Sequence, residues 1–237
     1  VNGKIDASNM YDMQTQAGSA YVPRVFHPHA KDVLVIGFGS GTTPGASLLF
    51  PDTKVTCLEI EPAVYEASEF FGEVNHRPHE SDRFEMVIGD GRTFVQGTDR
   101  KFDMIISEPS NPWMAGVSAL FTVEYFKAAR AHLNERGVLA QWMQTYHFTL
   151  DEYSLVVRTL RSVFPHVGVV ILSGGADTIL LASDHPLIPT AEDVGIVQAQ
   201  INETPAIKKD LEKYFNTSDI GKILLSTYML SSLELNQ

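Results

Sequence analysis

A single cysteine, Cys57, stands in a sequence of 237 residues. That excludes an internal disulfide framework and a cysteine-rich zinc site. Its apolar setting, Lys54–Ile60, makes it a buried small hydrophobe. Positive charge is also scarce: 18 Lys and Arg against 29 Asp and Glu leave a formal net charge of −11 at pH 7. That balance disfavours nucleic acid and anionic membrane surfaces, which need basic partners, and is compatible with a cationic substrate. No apolar run approaches the roughly 18 residues of a membrane span. The first ten residues have neither the basic start nor the apolar core of a signal peptide. Beginning at Val1 without a Met, the sequence is expected to be a fragment. Internal repeats, low-complexity tracts and long like-charge blocks are missing too. His27 and His29 flank Pro28, and His76 and His79 flank Arg77-Pro78, but no H-E-x-x-H pattern or matching acid cluster accompanies them, so no metal is expected. Neither Ser40 nor Ser110 lies in the G-x-S-x-G of a hydrolase elbow.

What is present is an ordinary globular composition, 44% hydrophobic and 20% charged, in a length that suits one large domain with a small appendage. Short apolar runs alternate with amphipathic segments. The runs Asp32–Gly37, Lys54–Ile60, Phe84–Gly89, Phe102–Ser107 and Gly137–Met143 are bounded by turn residues and are expected to be buried strands. Helical spacing groups Val64, Ala67, Ser68 and Phe71 within 61–71. It groups Tyr125, Ala128, Ala129 and Leu133 within 119–133, and Leu155, Val156, Thr159, Leu160 and Val163 within 150–164. Phe70, Phe71 and Phe121 are assigned to the core. Strand–helix alternation implies a parallel, doubly wound α/β sheet. Val167–Leu172 and Thr178–Ala182, joined through Ser173–Ala176, break the pattern, because so short and Gly-rich a gap makes a hairpin. A mostly parallel sheet ending in an antiparallel hairpin is similar to the Rossmann-like class I methyltransferase fold. After Pro189 the chain reads as a helical extension packed on the same core.

The first strand runs into Gly37-Phe38-Gly39-Ser40-Gly41, where glycines let the backbone turn sharply and approach a ligand. Thr42 occupies the third glycine position of the dinucleotide fingerprint, and no G-K-[ST] follows, so neither a dinucleotide site nor a P-loop fits. G-x-G-x-G after the first strand is the form used by S-adenosylmethionine-type folds, although a Gly-rich turn occurs in any α/β protein. Glu59 ends the second strand, 20 residues after Gly39, where a carboxylate can accept both hydroxyls of a ribose. Asp90-Gly91 closes the third strand, where a carboxylate can accept the exocyclic amine of an adenine. Read separately, Glu59 is a solvated strand-end acid and Asp90 a turn residue. Together, at the carboxyl ends of neighbouring strands, they point to a nucleoside. Glu61, before Pro62, reads as the entry to the next helix.

The fourth strand ends in Ser107-Glu108-Pro109-Ser110-Asn111-Pro112-Trp113. Each proline biases the residue before it toward an extended backbone. A carboxylate on so stiff a loop, beside a nucleoside site, suits positioning a nucleophile; as a purely structural feature, the loop caps the sheet. Gly37–Gly45, residues 58–62 (LEIEP), 88–92 (IGDGR), this loop and 119–126 (ALFTVEYF) resemble the spermidine synthase, or polyamine aminopropyltransferase, family over about residues 1–185. They resemble most its bacterial spermidine synthase-like branch, often joined to membrane-spanning segments.

The resemblance implies decarboxylated S-adenosylmethionine as donor, its ribose held by Glu59 and its adenine by Asp90. Gly37, Gly39, Gly41, Gly91 and Ser107 fall on the same donor side. It implies a donor-holding Gln at Gln16 if Pro23 and His27-Pro28 set the register, and a catalytic acid at Glu108. Residues 1–30 become the remnant of an N-terminal hairpin and its lead-in, 31–185 the catalytic domain and 186–237 the helical extension. It places the protein in the cytoplasm, or on the cytoplasmic face of a membrane, and leaves room for a membrane region in the full-length protein and for a homodimer. The authentic synthases carry D-S-x-D-P where this sequence has Glu108–Pro112, so the second acid is neutral Asn111. Thr15 stands where the family has a Tyr lining the polyamine site. Putrescine is therefore expected to be a poor acceptor. Tyr146, after the fifth strand, is a further candidate for acceptor contact.

The chemistry so implied is displacement at a carbon beside a sulfonium, which needs no metal but needs a deprotonated amine held in line. The rivals are a methyltransferase using intact S-adenosylmethionine and a noncatalytic nucleoside-binding domain.

Overall fold

The apolar runs of the sequence pair into one sheet. The computed structural model describes residues 7–110 and 116–230. Helix α1 (Met13–Tyr21) and a 3-10 turn (Pro23–Phe26) lead into β1 (Asp32–Ile36), α2 (Thr42–Leu48), β2 (Lys54–Glu59) and α3 (Pro62–Glu66). Then come β3 (Phe84–Ile88), α4 (Gly91–Gly97), β4 (Phe102–Ser107), α5 (Val123–Ala131), β5 (Leu133–Gln144) and α6 (Leu150–Arg161). The hairpin is β6 (His166–Leu172) and β7 (Asp177–Ser183), and the chain closes with α7 (Ala191–Glu203), α8 (Pro205–Phe215), α9 (Ile220–Thr227) and β8 (Tyr228–Leu230). The strand order is β3-β2-β1-β4-β5-β7-β6-β8. Pairing is parallel from β3 to β5 and antiparallel from β5 through β7 and β6 to β8. The order reverses between β1 and β4, the kind of crevice where open α/β sheets bind ligands.

Two buried clusters cover the sheet. One joins Val33, Val35, Met104, Ile106, Val138 and Ala140 to α1, α2 and the C-terminal helices; the other joins Leu34, Ile36, Ile105, Leu139 and Met143 to α4, α5 and α6. The alternation of strand side chains assigns each residue to one layer. Ile207, Leu211, Ile220 and Ile223 belong to the first cluster, so the C-terminal extension completes the same core.

Several expectations need correction. The third strand lies at the sheet edge and is not buried; Ile88 is 47% exposed. The 61–71 helix stops at Glu66 and continues as a 3-10 segment, Ala67–Phe71, which turns Phe70 out of the core to 87% exposure and leaves Phe71 half-buried. The 119–133 segment is a 3-10 turn, Val117–Phe121, followed by α5; Leu133 already begins β5. In α6 the inward stripe is Tyr153, Val156, Val157 and Leu160, so Leu155 points to solvent. The C-terminal extension is not wholly helical, because β8 adds an eighth strand against β6. The hairpin residues proposed at the very N-terminus, 1–6, lie outside the described residues.

Candidate active site

The C-terminal edge of β1, β2 and β4 meets the N-terminal ends of α1 and α2, and the predicted residues gather there. Gly37 leaves β1 at φ +96°, and a Cβ on it would overlap the Glu108 carbonyl oxygen. Only glycine lets the two strand ends come this close. The Glu108 amide donates to Ile36 O at 2.8 Å, locking the start of its loop to β1. Gly39 and Gly41 also have positive φ, and Gly41 caps α2. The loop is tied down from outside: Asn75 Nδ2 donates to Ser40 O at 3.0 Å, and Ser40 Oγ donates to Gln16 Oε1. Gln16 Nε2 donates to Ser8 O at 2.9 Å, and Thr43 Oγ1 donates to Gln16 O at 2.9 Å. The structure thus brings Gln16 against the glycine loop.

Glu59, half-buried, accepts from the Phe38 amide on Oε2 and from the Glu61 amide on Oε1, each at 3.0 Å. Glu61 caps α3, accepting from Ala63 N, in line with the sequence reading. Asp90 is exposed and caps α4: its Oδ1 accepts from Thr93 N at 2.7 Å and Thr93 Oγ1 at 2.6 Å. Gly91 packs so tightly on Ile36 that a Cβ would collide with it, which accounts for that glycine by packing alone. Ser107 is fully buried in the layer opposite Glu108, and among the described residues its hydroxyl and the nearby Tyr125 hydroxyl lack conventional hydrogen-bond partners.

Glu108 is the perturbed acid of the site. Burial pushes its carboxyl up to about 7, against the downward pull of the Ser19 and Thr43 hydroxyls, while the carboxylates of Asp177 and Asp12 push it further up. Tyr146, 41% exposed, stands beyond the end of β5 with its ring 5.6 Å from that of His147. Asn111, with Pro112 and Trp113, lies outside the described residues.

Sequence reasoning missed two residues. Asp177, at the start of β7, is buried; its Oδ2 accepts from Thr15 Oγ1 at 2.7 Å and its Oδ1 from Trp142 Nε1 at 3.2 Å. Gln144, its register partner across β5 and β7, is fully buried, and among the described residues neither side-chain polar atom has a hydrogen-bond partner. Both follow signals visible in hindsight: a polar residue at the end or start of an otherwise apolar strand.

The doubly wound sheet with its terminal hairpin and its glycine loop is that of a Rossmann-like transferase. The Spermine/spermidine synthase domain family matches residues 18–173. The chain is 30% identical over 222 residues to the polyamine aminopropyltransferase of Sodalis glossinidius, covering 90% of this chain and 75% of that enzyme. It is 29% identical over 191 residues to polyamine aminopropyltransferase 2 of Hyperthermus butylicus, covering 78% and 63%. A spermidine synthase solved in complex with the transition state analogue AdoDATO superposes with a TM-score of 0.70 at 25% identity, over 87% of this chain and 78% of that one. Human methyltransferase-like protein 13 shares the fold, with a TM-score of 0.61 at 21% identity over 87% and 93%. The chain belongs to the spermine/spermidine synthase family and is a transferase of the polyamine aminopropyltransferase type. Among the described residues there is no group of three or more His, Cys, Asp or Glu that could hold a metal, and no helix long and apolar enough to cross a membrane.

Proposed function

We propose that this chain transfers an aminopropyl group from decarboxylated S-adenosylmethionine to an amine acceptor. The observation that carries the reading is Glu108: an acid held at the sheet's carboxyl edge by the close approach of Gly37, with its carboxyl pushed up to about 7. A base with that pKa is half-ionised near neutral pH and can take a proton from an ammonium or from the attacking amine. A free amine near pKa 10 is almost wholly protonated at neutral pH, so this help is needed. The amine lone pair forms a bond to the propyl carbon beside the sulfonium. The carbon–sulfur bond breaks, its electrons neutralise the sulfur to give methylthioadenosine, and the amine's proton passes to Glu108. Gln16, Gly37, Gly39, Gly41, Glu59, Asp90, Gly91 and Ser107 form the donor side in this reading; Asn111 and Tyr146 are assigned to the acceptor side. It also carries a cytoplasmic setting.

The test is direct. With decarboxylated S-adenosylmethionine and a panel of amines, the purified chain should release methylthioadenosine and one aminopropylated amine. Release of S-adenosylhomocysteine from S-adenosylmethionine, with none from the decarboxylated donor, would establish the methyltransferase alternative. Binding of methylthioadenosine without turnover of any amine would establish the noncatalytic one.

Asp90 serves two purposes in this reading, and a pair of variants separates them. Asp90→Ala removes the α4 cap and should lower stability by about 1 kcal/mol. Asp90→Ser keeps a capping hydroxyl but no carboxylate. It should melt close to the parent while binding methylthioadenosine roughly 10-fold more weakly, the loss of one hydrogen bond to a charged group. Unchanged calorimetric affinity in Asp90→Ser reduces Asp90 to a helix cap.

A further inference from the structure

Helix α8 carries an acid where its period calls for an apolar residue. Ile207 and Leu211 belong to the first core cluster, and Asp210 lies on the same buried face at 8% exposure. It stands in the C-terminal extension, outside the residues 18–173 that the family domain matches. A carboxylate so placed is costly unless it is partnered. Its Oδ2 accepts from the Tyr21 hydroxyl at 2.5 Å, and His76 Nε2 lies 2.7 Å from the same oxygen. His76 and Arg77 follow one another in the left-handed region, at φ +55° and +49°. Neither is glycine, and two such residues in succession persist only where the surroundings impose the conformation. Asn75, just before them, is fully buried and faces the glycine loop. Its Nδ2 donates to Ser40 O at 3.0 Å and to Ser68 O at 2.9 Å, and its Oδ1 accepts from Arg77 N at 2.9 Å. Its backbone oxygen comes so close to α2 that only glycine fits at position 45. The strained turn is thus gripped at His76 by α8 and itself grips the glycine loop at Ser40.

Resting on the assignment of the glycine loop to the donor nucleoside, we infer that Asp210 is a positioning residue for donor binding, acting through His76 and Asn75. By holding the His76 imidazole, Asp210 keeps the turn left-handed and the Asn75 amide on the Ser40 carbonyl. Without that hold the turn relaxes and the loop loses its outer brace. Gln16 still accepts from the Ser40 hydroxyl on the other side, so the loop loosens but does not collapse. Asp210 touches neither the glycine loop's donor face nor Glu108 in this scheme, and its effect falls on nucleoside affinity.

The experiment is calorimetry with methylthioadenosine on the full chain, with melting temperatures and amide exchange alongside. Asp210→Ala should bind roughly 10-fold more weakly, the scale on which a residue touching no ligand modulates a linked site. His76→Ala should lose as much, whereas His76→Gly should bind close to the parent, because glycine takes a positive φ without steric cost. Asp210→Ala should then cost nothing further in the His76→Gly background. A merely structural role for Asp210 would lower the melting temperature without this pattern. The inference is overturned if Asp210→Ala binds like the parent, or if His76→Ala and His76→Gly behave alike. The histidine pair leaves the buried acid in place, so it decides the matter even if Asp210→Ala fails to fold. In the ligand-free chain, Asp210→Ala should speed exchange of the hydrogen-bonded Phe38, Gly41 and Thr42 amides and leave those between β5 and β7 unchanged. If the parent binds no methylthioadenosine, the donor reading fails, while faster exchange keeps Asp210 as the brace of the loop. Equal exchange overturns the inference whatever the parent binds.

Discussion

Glu108→Gln should lower turnover of the acceptor by roughly 100-fold or more, the range for losing a general base, while methylthioadenosine still binds. The same substitution should make the protein more stable at alkaline pH. In the folded chain burial raises the Glu108 carboxyl from its ordinary value of 4.5 to about 7. A raised acid favours the folded state while it is protonated, and that advantage is lost as pH rises from about 4.5 through 7. Above pH 7 the native state carries an ionised, poorly solvated carboxylate. The shift of about 2.5 corresponds to at most about 3 kcal/mol. Gln carries no such penalty. At 2–4 °C per kcal/mol for a chain of this size, Glu108→Gln should melt roughly 5–10 °C higher at pH 8 and about equally at pH 4.5. Parent turnover should in turn rise through an acid limb near pH 7, as Glu108 becomes a competent base. A melting gain that is the same at both pH values would remove the electrostatic explanation. Full turnover in Glu108→Gln would leave its loop a structural cap.

The residues that carry this argument were legible because they sit where local sequence determines geometry. Gly37 and Glu108 each follow a run of apolar strand residues, so their place at the sheet edge follows from where the run stops. The hairpin was legible for the same reason: Ser173–Ala176 is too short to cross the sheet. Helix α1 was not. Met13, Thr15 and all of Ala17–Tyr21 are buried. With so little solvent-facing surface the segment has no polar stripe, and without one the 3.6-residue period that marks a helix does not stand out. Leu155 and Phe70 mislead in the opposite sense, being apolar side chains on exposed positions, which surfaces tolerate singly.

Asp177 and Gln144 lay beyond local reading altogether. Each is a polar residue at a strand terminus, ordinarily solvated, and only the antiparallel pairing of residues 33 positions apart closes the sheet over them. Gly45 is a parallel case. Its place in α2 suggests nothing, yet a Cβ there would overlap the backbone carbonyl of Asn75, the residue that braces the glycine loop. The glycine loop, Glu59 and Asp90 are placed largely by neighbours along the chain and read from sequence. Asp177 and Gln144 are placed by the β5–β7 pairing and do not.

Glu59→Ala tests the donor half. The Glu59 carboxylate accepts one amide from the glycine loop, at Phe38, and one from its own strand end, at Glu61. These bonds use one lone pair on each oxygen and fix the group's orientation. A carboxylate offers about four acceptor sites, so two remain, matching two vicinal ribose hydroxyls. Removing the side chain deletes those bonds to a charged acceptor, a loss of roughly 1.5–3 kcal/mol, or about 10- to 150-fold in methylthioadenosine affinity. Glu59→Gln should be no milder, although it is nearly isosteric. Its amide nitrogen would have to face either Phe38 N–H or Glu61 N–H, donor against donor, and only one oxygen would remain for the ribose. Calorimetry on both variants, with melting temperatures as the control for folding, decides the point. Equal loss in Ala and Gln fits a carboxylate held between two amides, whereas parent-like affinity in either variant means that the ribose binds elsewhere along the sheet edge.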